Sequence, residues 1–296
     1  MSDSDATLRD LFDRDDLLLA PGVADALEAT IAERANADAL YVSGNAVATA
    51  VHGGPDIGLT TMSETVDRVR EITGAIDRPV FCDADAGYGN ALNVYRTVRE
   101  FERAGAAGVH IEDQRAPKQC GHFDGKRLIA ADEMVGKLEA AIDAREDDSF
   151  VVVARTDAVA VGGLEAAIDR ARTYVESGAD GIFVDAPETE AQLAEIGDRL
   201  ADVPLVVNLP YGGKSPIFPA ERVAEMGYDV LLFATTAQKA KLRLLEDVYS
   251  ELVETGNERG LVDRLGTWED RDDVTDLETW REREKQYAAE DTDGSE

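Results

Sequence analysis

Glu102-Arg103-Ala104-Gly105-Ala106-Ala107-Gly108-Val109-His110-Ile111-Glu112-Asp113 reads as the end of a helix, a turn, and a buried strand that finishes in two acids. Gly105 suits the left-handed residue that stops a helix, and the small residues after it let the chain enter a sheet. The same junction recurs at Glu33-Arg34-Ala35-Asn36-Ala37-Asp38-Ala39-Leu40, at Glu176-Ser177-Gly178-Ala179-Asp180-Gly181-Ile182 and at Glu225-Met226-Gly227-Tyr228-Asp229-Val230. It falls before every second member of a regular series of strand candidates: Leu17–Ala20, Ala39–Ser43, Pro79–Asp83, Gly108–Asp113, Phe150–Thr156, Gly181–Ala186, Pro204–Leu209 and Asp229–Ala234. Most are nearly continuous apolar runs, the pattern of parallel strands buried on both faces. Between them, amphipathic runs predict helices at Ser63–Ile76, Ala91–Arg103, Asp132–Arg145, Leu164–Glu176 and Glu190–Leu200. Eight strands in strict alternation with helices predict an α/β fold of the (β/α)8 TIM-barrel type rather than an open doubly wound sheet.

The barrel is expected over residues 1–256 and an acidic helical C-terminal extension over 257–296. Thr236–Thr255 reads as a long helix after the eighth strand. Trp268 and Trp280, set in a highly charged tail, predict packing against another surface, and Glu290–Glu296 has the composition of a disordered end.

Acids outnumber bases 61 to 30, a formal charge of −31. That excess repels nucleic acid and anionic membranes, which excludes both as partners. The acids are spread along the chain, as on a surface adapted to high salt. Like charges on such a surface repel across a Debye length of about 10 Å at 0.1 M salt, which shrinks to about 3 Å at 1 M. The melting temperature is therefore expected to rise from about 0.1 M to about 2 M KCl. A monotonic fall with salt would instead assign the acids to a docking surface. Cys82 and Cys120 are the only cysteines, too few for a disulfide framework. The N-terminus lacks a basic, apolar leader, and no apolar run nears the ~20 residues that span a bilayer. A cytoplasmic, soluble protein is the expectation.

In a barrel, the loops after the C-terminal strand ends build the active site. Those ends carry Ser43-Gly44-Asn45, Asp83 and Asp85, Glu112-Asp113, Arg155-Thr156-Asp157, Asp185 and Asn208. Charges lining a cleft must be paired or metal-bound, so Asp83, Asp85, Glu112 and Arg155 are read as serving a cation and an anionic substrate. An all-oxygen set suits Mg²⁺. The polar loop Arg115–Lys126 reads as a cover over that site, and within it Cys120 stands between Lys118 and His122, neighbours that favour a thiolate and make it a candidate acid or nucleophile. Cys82, inside a strand, is read as core. Asp56, after Gly53-Gly54-Pro55, reads equally well as a turn cap. His52 and His110 have no sequence partner that argues a role.

At these residues the chain resembles the isocitrate lyase/phosphoenolpyruvate mutase superfamily over roughly Leu17 to Thr255. Asp83-Ala84-Asp85-Ala86-Gly87-Tyr88-Gly89 resembles the family's metal-binding strand end, and Lys118-Gln119-Cys120-Gly121-His122 the loop of its carbon–carbon lyases. The resemblance implies Mg²⁺, with Mn²⁺ as an alternative, on Asp83 and Asp85, while Asp56 and Glu112 reach it through water. It implies Tyr41, Ser43 and Gly44 beside the 2-oxo-acid half of a di- or tricarboxylate, with Arg155 on the substrate oxygens; Asn45, Gly121 and Asp185 are further candidates for substrate binding. Asn208, Gly213 and Ser215 would hold the far carboxylate. The implied reaction is retro-aldol cleavage of 2-methylisocitrate or isocitrate to succinate plus pyruvate or glyoxylate, with Tyr41 as base, Cys120 as acid and Lys118 and His122 tuning the thiol. A homotetramer is also implied. Gln119, Asp185, Asn45 and Tyr211 depart from the family pattern near the substrate. Cleavage of a dimethylmalate, decarboxylation of a 2-oxo acid such as oxaloacetate, and a non-enzymatic metal-binding barrel are the competing readings.

Overall fold

Side chains alternate along each strand of a closed barrel, one set facing the barrel axis and the other facing the helices. The computed structural model describes residues 6–121, 123 and 125–288. His122 and the proposed disordered end at 290–296 lie outside the described residues. The order is α1 (Leu8–Phe12), β1 (Leu18–Val23), α2 (Ala26–Arg34), β2 (Leu40–Val42), α3 (Gly44–His52), α4 (Met62–Thr73), β3 (Val80–Asp83) and α5 (Ala91–Arg103). It continues with β4 (Gly108–Glu112), α6 (Ala131–Ala144), β5 (Val151–Thr156), α7 (Val159–Glu176), β6 (Gly181–Val184), α8 (Glu190–Arg199), β7 (Leu205–Asn208), α9 (Ala220–Glu225), β8 (Val230–Phe233) and α10 (Thr236–Thr255). All eight strands pair in parallel with their sequence neighbours, and β8 closes on β1 through Leu18–Pro21 against Val230–Phe233. The expected (β/α)8 barrel is what forms.

The recurrent junction has the backbone its sequence demands. Asn36, Gly105, Gly178 and Gly227 have φ of 62°, 91°, 96° and 85°, each just after a helix. Side chains facing the axis, including Leu18, Ala20, Phe81, Val153, Val206 and Leu232, form one core. Those facing outward, such as Cys82, Val109, Ile111, Val152 and Val207, pack with the helices in a larger one. Cys82 is core, as read. The short α1, which the strand-and-helix pattern does not reveal, adds Leu8, Leu11 and Phe12 to the axial core, with Phe12 edge-on to Phe81 at 5.6 Å. Thr7 starts it, exchanging hydrogen bonds with Asp10 in a capping box. Helix α7 has a break at Gly163 (φ 81°), so its regular part begins where the expected Leu164–Glu176 helix does.

A buried ionic knot ties β4, β5 and α7 together. Asp113 Oδ2 accepts from Thr156 Oγ1 (2.8 Å), Tyr174 OH (2.9 Å) and Arg170 Nη1 (3.0 Å), while Oδ1 accepts from the Asp157 backbone N–H (3.0 Å). Four donors satisfy a wholly buried carboxylate, the condition under which such a charge is tolerated.

The described chain divides into two compact units, one ending at Ala240 and one beginning at Lys241, so the division falls inside α10. The second unit adds a short 3-10 turn at Val262–Arg264, α11 (Trp268–Val274) and α12 (Leu277–Tyr287). Arg271 stacks over Trp268 at 4.2 Å and Arg283 over Trp280 at 5.1 Å, and both indoles are exposed. Among the described residues no helix is long and apolar enough to cross a membrane.

Candidate active site

The same alternation that builds the axial core brings the last inward residue of each strand to one rim. Tyr41 and Ser43 arrive from β2, Asp83 from β3, Arg155 from β5, Asp185 from β6 and Asn208 from β7, and all line one cavity of about 210 Å³. Asn45, Asp56, Cys120, Gly121 and Gly213 line it too. Glu112, Asp85 and Lys118 are buried just behind that lining and bonded to it. Gly44 backs Asp83: its N–H donates to Asp83 Oδ2 at 3.3 Å, and a Cβ there would lie 2.6 Å from the same oxygen. Ser215 is buried but is not part of the cavity wall.

The floor is aromatic. Tyr41 stacks on His110 at 5.8 Å, and Phe183 meets the same imidazole edge-on at 5.5 Å. Tyr41 OH lies 2.8 Å from His110 Nε2, and Nε2 is 3.7 Å from Asp83 Oδ1. Burial pulls His110 down to about 4 and pushes the Tyr41 phenol well above its usual value. Both are therefore neutral near pH 7, and Nε2 of a neutral ring can accept the tyrosine proton. His110, which offered no partner in the sequence, thus has one in the fold. His52 sits 3.7 Å from Glu64, away from the cavity.

Carboxylates dominate one side. Lys118 Nζ is held by Asp56 Oδ1 and lies 2.8 Å from Asp85 Oδ1. Asp56 is therefore part of the site and not merely a turn cap. Burial pushes Asp85 up to about 7 despite Lys118, with Asp83 and Asp56 adding to the rise. Burial likewise pushes Glu112 well above the carboxylate range, whereas Asp83 is held low against burial by the positive charges of Lys118 and Arg155 and by the Asp85 backbone N–H that donates to it. Arg155 is engaged on all sides: Asp157 accepts from Nε (3.0 Å) and Nη2 (3.1 Å), Asp185 Oδ2 is 3.2 Å away, and Glu112 Oε2 3.5 Å. Among the described residues, five carboxylates (Asp56, Asp85, Glu112, Asp157, Asp185) are joined by three cationic side chains (Lys118, Lys126, Arg155), and a sixth, Asp83, lies against His110.

That imbalance bears on a metal. Glu112 Oε1 is buried without a hydrogen-bond partner, and Asp56 and Asp85 already converge on a cation, the Lys118 ammonium. The donors are all oxygen. Among the described residues no group of three acidic, His or Cys side chains is arranged to hold a metal ion. An oxygen-only set of this kind would suit Mg²⁺, and Asp83 and Asp85 are the residues that would hold it.

Two helix and loop features complete the wall. Ser43 caps α3, its Oγ accepting from Ala46 N at 3.4 Å, so the positive end of that helix faces the cavity, a setting for a carboxylate. Beyond Asn208, the cavity passes Gly213 and Lys239, whose Nζ donates to Tyr211 O at 2.5 Å. Asn208 Oδ1 and Ser215 Oγ are buried and unpartnered. His110, Gln114, Lys126 and Lys239 carry polar duties here that no spacing in the sequence announced, whereas Asp157, two residues after Arg155, stood at a strand end.

A family model described as phosphoenolpyruvate phosphomutase matches residues 8–253. The chain is 43% identical over 281 residues to a 2-methylisocitrate lyase of Aeropyrum pernix, covering 95% of this chain and 89% of that one. It is 37% identical over 283 residues to a 2,3-dimethylmalate lyase of Eubacterium barkeri, covering 96% and 98%. A solved structure of phosphonopyruvate hydrolase in complex with oxalate and Mg²⁺ superposes with a TM-score of 0.87 at 27% identity, covering 97% of this chain and 99% of that one.

Proposed function

Because the chain belongs to the phosphoenolpyruvate mutase/isocitrate lyase superfamily, whose members are enzymes, we propose that it is a Mg²⁺-dependent carbon–carbon lyase that cleaves 2-methylisocitrate to succinate and pyruvate. The observation that carries this reading is the oxygen-rich rim, where Asp56, Asp83, Asp85 and Glu112 stand together beside Arg155 at the cavity; a cation held there would let a polyanionic substrate approach. When bound, Mg²⁺ supplies a Lewis acid for the oxygens of the 2-oxo-acid half.

The chain's own groups do the rest. The α3 N-terminus at Ser43 and Gly44 receives the carboxylate of that half, and Arg155, held rigidly by Asp157, stabilises charge developing on its oxygens. Tyr41 takes the hydroxyl proton as its own passes toward His110 Nε2, so the phenol need not ionise alone. The carbon–carbon bond then breaks, leaving a carbonyl on one product and an electron pair on the carbon next to the other product's carboxylate. Cys120 delivers the proton that quenches it.

A tricarboxylate is favoured over a dimethylmalate because the far end of the cavity is lined by Asn208 and Lys239, whose side-chain N–H groups can donate to a further carboxylate. A panel of 2-methylisocitrate, isocitrate and 2,3-dimethylmalate with Mg²⁺ in high salt, read as pyruvate or glyoxylate release, is expected to rank 2-methylisocitrate first by kcat/KM. Turnover of oxaloacetate with none of the three cleaved would overturn the lyase reading.

Leu242, Leu245, Tyr249 and Val253 on α10 and Trp268 and Trp280 beyond it are exposed, and large apolar groups of this kind are typical of subunit contacts. A homo-oligomer, in the simplest case a tetramer, accounts for them. Light scattering in molar salt is expected to report a multiple of the 31.9 kDa chain; a monodisperse monomer would exclude it.

A further inference from the structure

Cys120 is placed over the cavity by side chains on both sides that have no part in the bond-breaking steps. On one side the buried amide of Gln114 brackets the preceding residue: Nε2 donates to Gln119 O at 2.8 Å, and Oε1 accepts from Gln119 N at 3.0 Å. On the other side Lys126 Nζ donates to Gly121 O and to Asp157 Oδ1 (2.9 Å), and lies 3.6 Å from Asp185 Oδ2. Its side chain is 1% exposed. An ammonium so deep is tolerated only when its donors are matched, and here three oxygens from the Cys120 turn, the β5 end and the β6 end match them.

Asp157 makes this more than a local tether. The carboxylate that takes Lys126 also orients Arg155 through Nε and Nη2, and its own backbone N–H is fixed by Asp113. Gly121 shows how closely the turn is seated, since a Cβ there would fall 1.9 Å from Asp185 Oδ2 and 2.5 Å from Arg155 Nη2. The turn meets the Arg155–Asp185 pair as bare backbone.

We propose that Lys126 is a positioning residue for Cys120, locking the thiol-bearing turn to the same Asp157 that orients Arg155, so that the proton donor and the oxygen-binding guanidinium share one register. The functional part of this inference rests on Cys120 being the proton donor; the geometric part does not. Lys126→Met keeps the stem and removes the ammonium. The probe is alkylation of Cys120 by iodoacetamide followed by mass spectrometry, a clean signal because the other cysteine, Cys82, is fully buried. Lys126→Met is expected to be alkylated about tenfold faster than wild type or more, as the turn opens locally. Its kcat should fall while KM changes little, because binding groups elsewhere on the rim are retained. Should Lys126→Met fail to fold, Gly121→Ala tests the same seating, and its added methyl is expected to raise alkylation similarly. A folded variant of either kind alkylated at the wild-type rate overturns the proposal, even if turnover has dropped. Wild-type turnover in Cys120→Ser would instead remove the proton-donor role and leave the alkylation result standing.

Discussion

Asp85→Ala should lower kcat/KM by at least about a thousandfold while the barrel stays folded, a loss of the size expected when electrostatic stabilisation of the reacting oxygens is removed. Asp85 is buried among Asp56 and Asp83, and burial with those neighbours already raises its carboxyl to about 7. Its charge is costly to the resting protein, which argues that it is kept for a ligand and not for stability. The alanine variant loses a pair to Lys118, but Asp56 still holds that ammonium. Circular dichroism is therefore expected to show an intact barrel in the inactive variant. The same loss should follow from excess chelator and be reversed by Mg²⁺ or Mn²⁺. Full wild-type activity in excess chelator would refute the metal assignment.

Cys120→Ser is expected to reduce kcat by about 10²–10⁴-fold, the range for a positioned proton donor, with a smaller change in KM. Serine is close in size but a far weaker acid, so the turn held by Gln114 and Lys126 should keep its place. Reading kcat and KM separately matters because a displaced turn would also weaken substrate binding. Turnover at the wild-type rate would reduce Cys120 to a wall residue.

The strands were legible because parallel strands buried on both faces leave unbroken apolar runs, and the Asn36, Gly105, Gly178 and Gly227 junctions mark where helices must stop. The rim residues were legible for a related reason: Asp83, Glu112, Arg155, Asp185 and Asn208 are polar groups ending apolar runs, where only a site or a cap can accommodate them. His110 was not, since a polar residue inside a strand says nothing about what faces it, and its partner Tyr41 is 69 residues away. Lys126 and Gln114 were hidden because loop lysines and glutamines are usually solvated. Only the closed barrel, by bringing Asp157 and Asp185 against the loop, converts Lys126 into a buried ion. Helix α1 is too short for periodicity to register, although Thr7 and Asp10 spell its cap.

Both tryptophans of the chain lie in α11 and α12, outside the barrel unit. Indole emission is thus a natural reporter for the C-terminal unit, whereas the barrel speaks chiefly through its tyrosines and its backbone. A thermal scan followed at the tryptophan wavelength and one followed by far-ultraviolet dichroism observe different parts of one polypeptide, and superimposable curves would mean that the two parts melt cooperatively. For the salt dependence expected of this acidic surface, the dichroism trace is the one weighted toward the barrel unit, which carries most of the helices and all eight strands. Conversely, a tryptophan introduced at Phe123, a cavity-wall position on the Cys120 loop, would give the barrel the optical label it lacks.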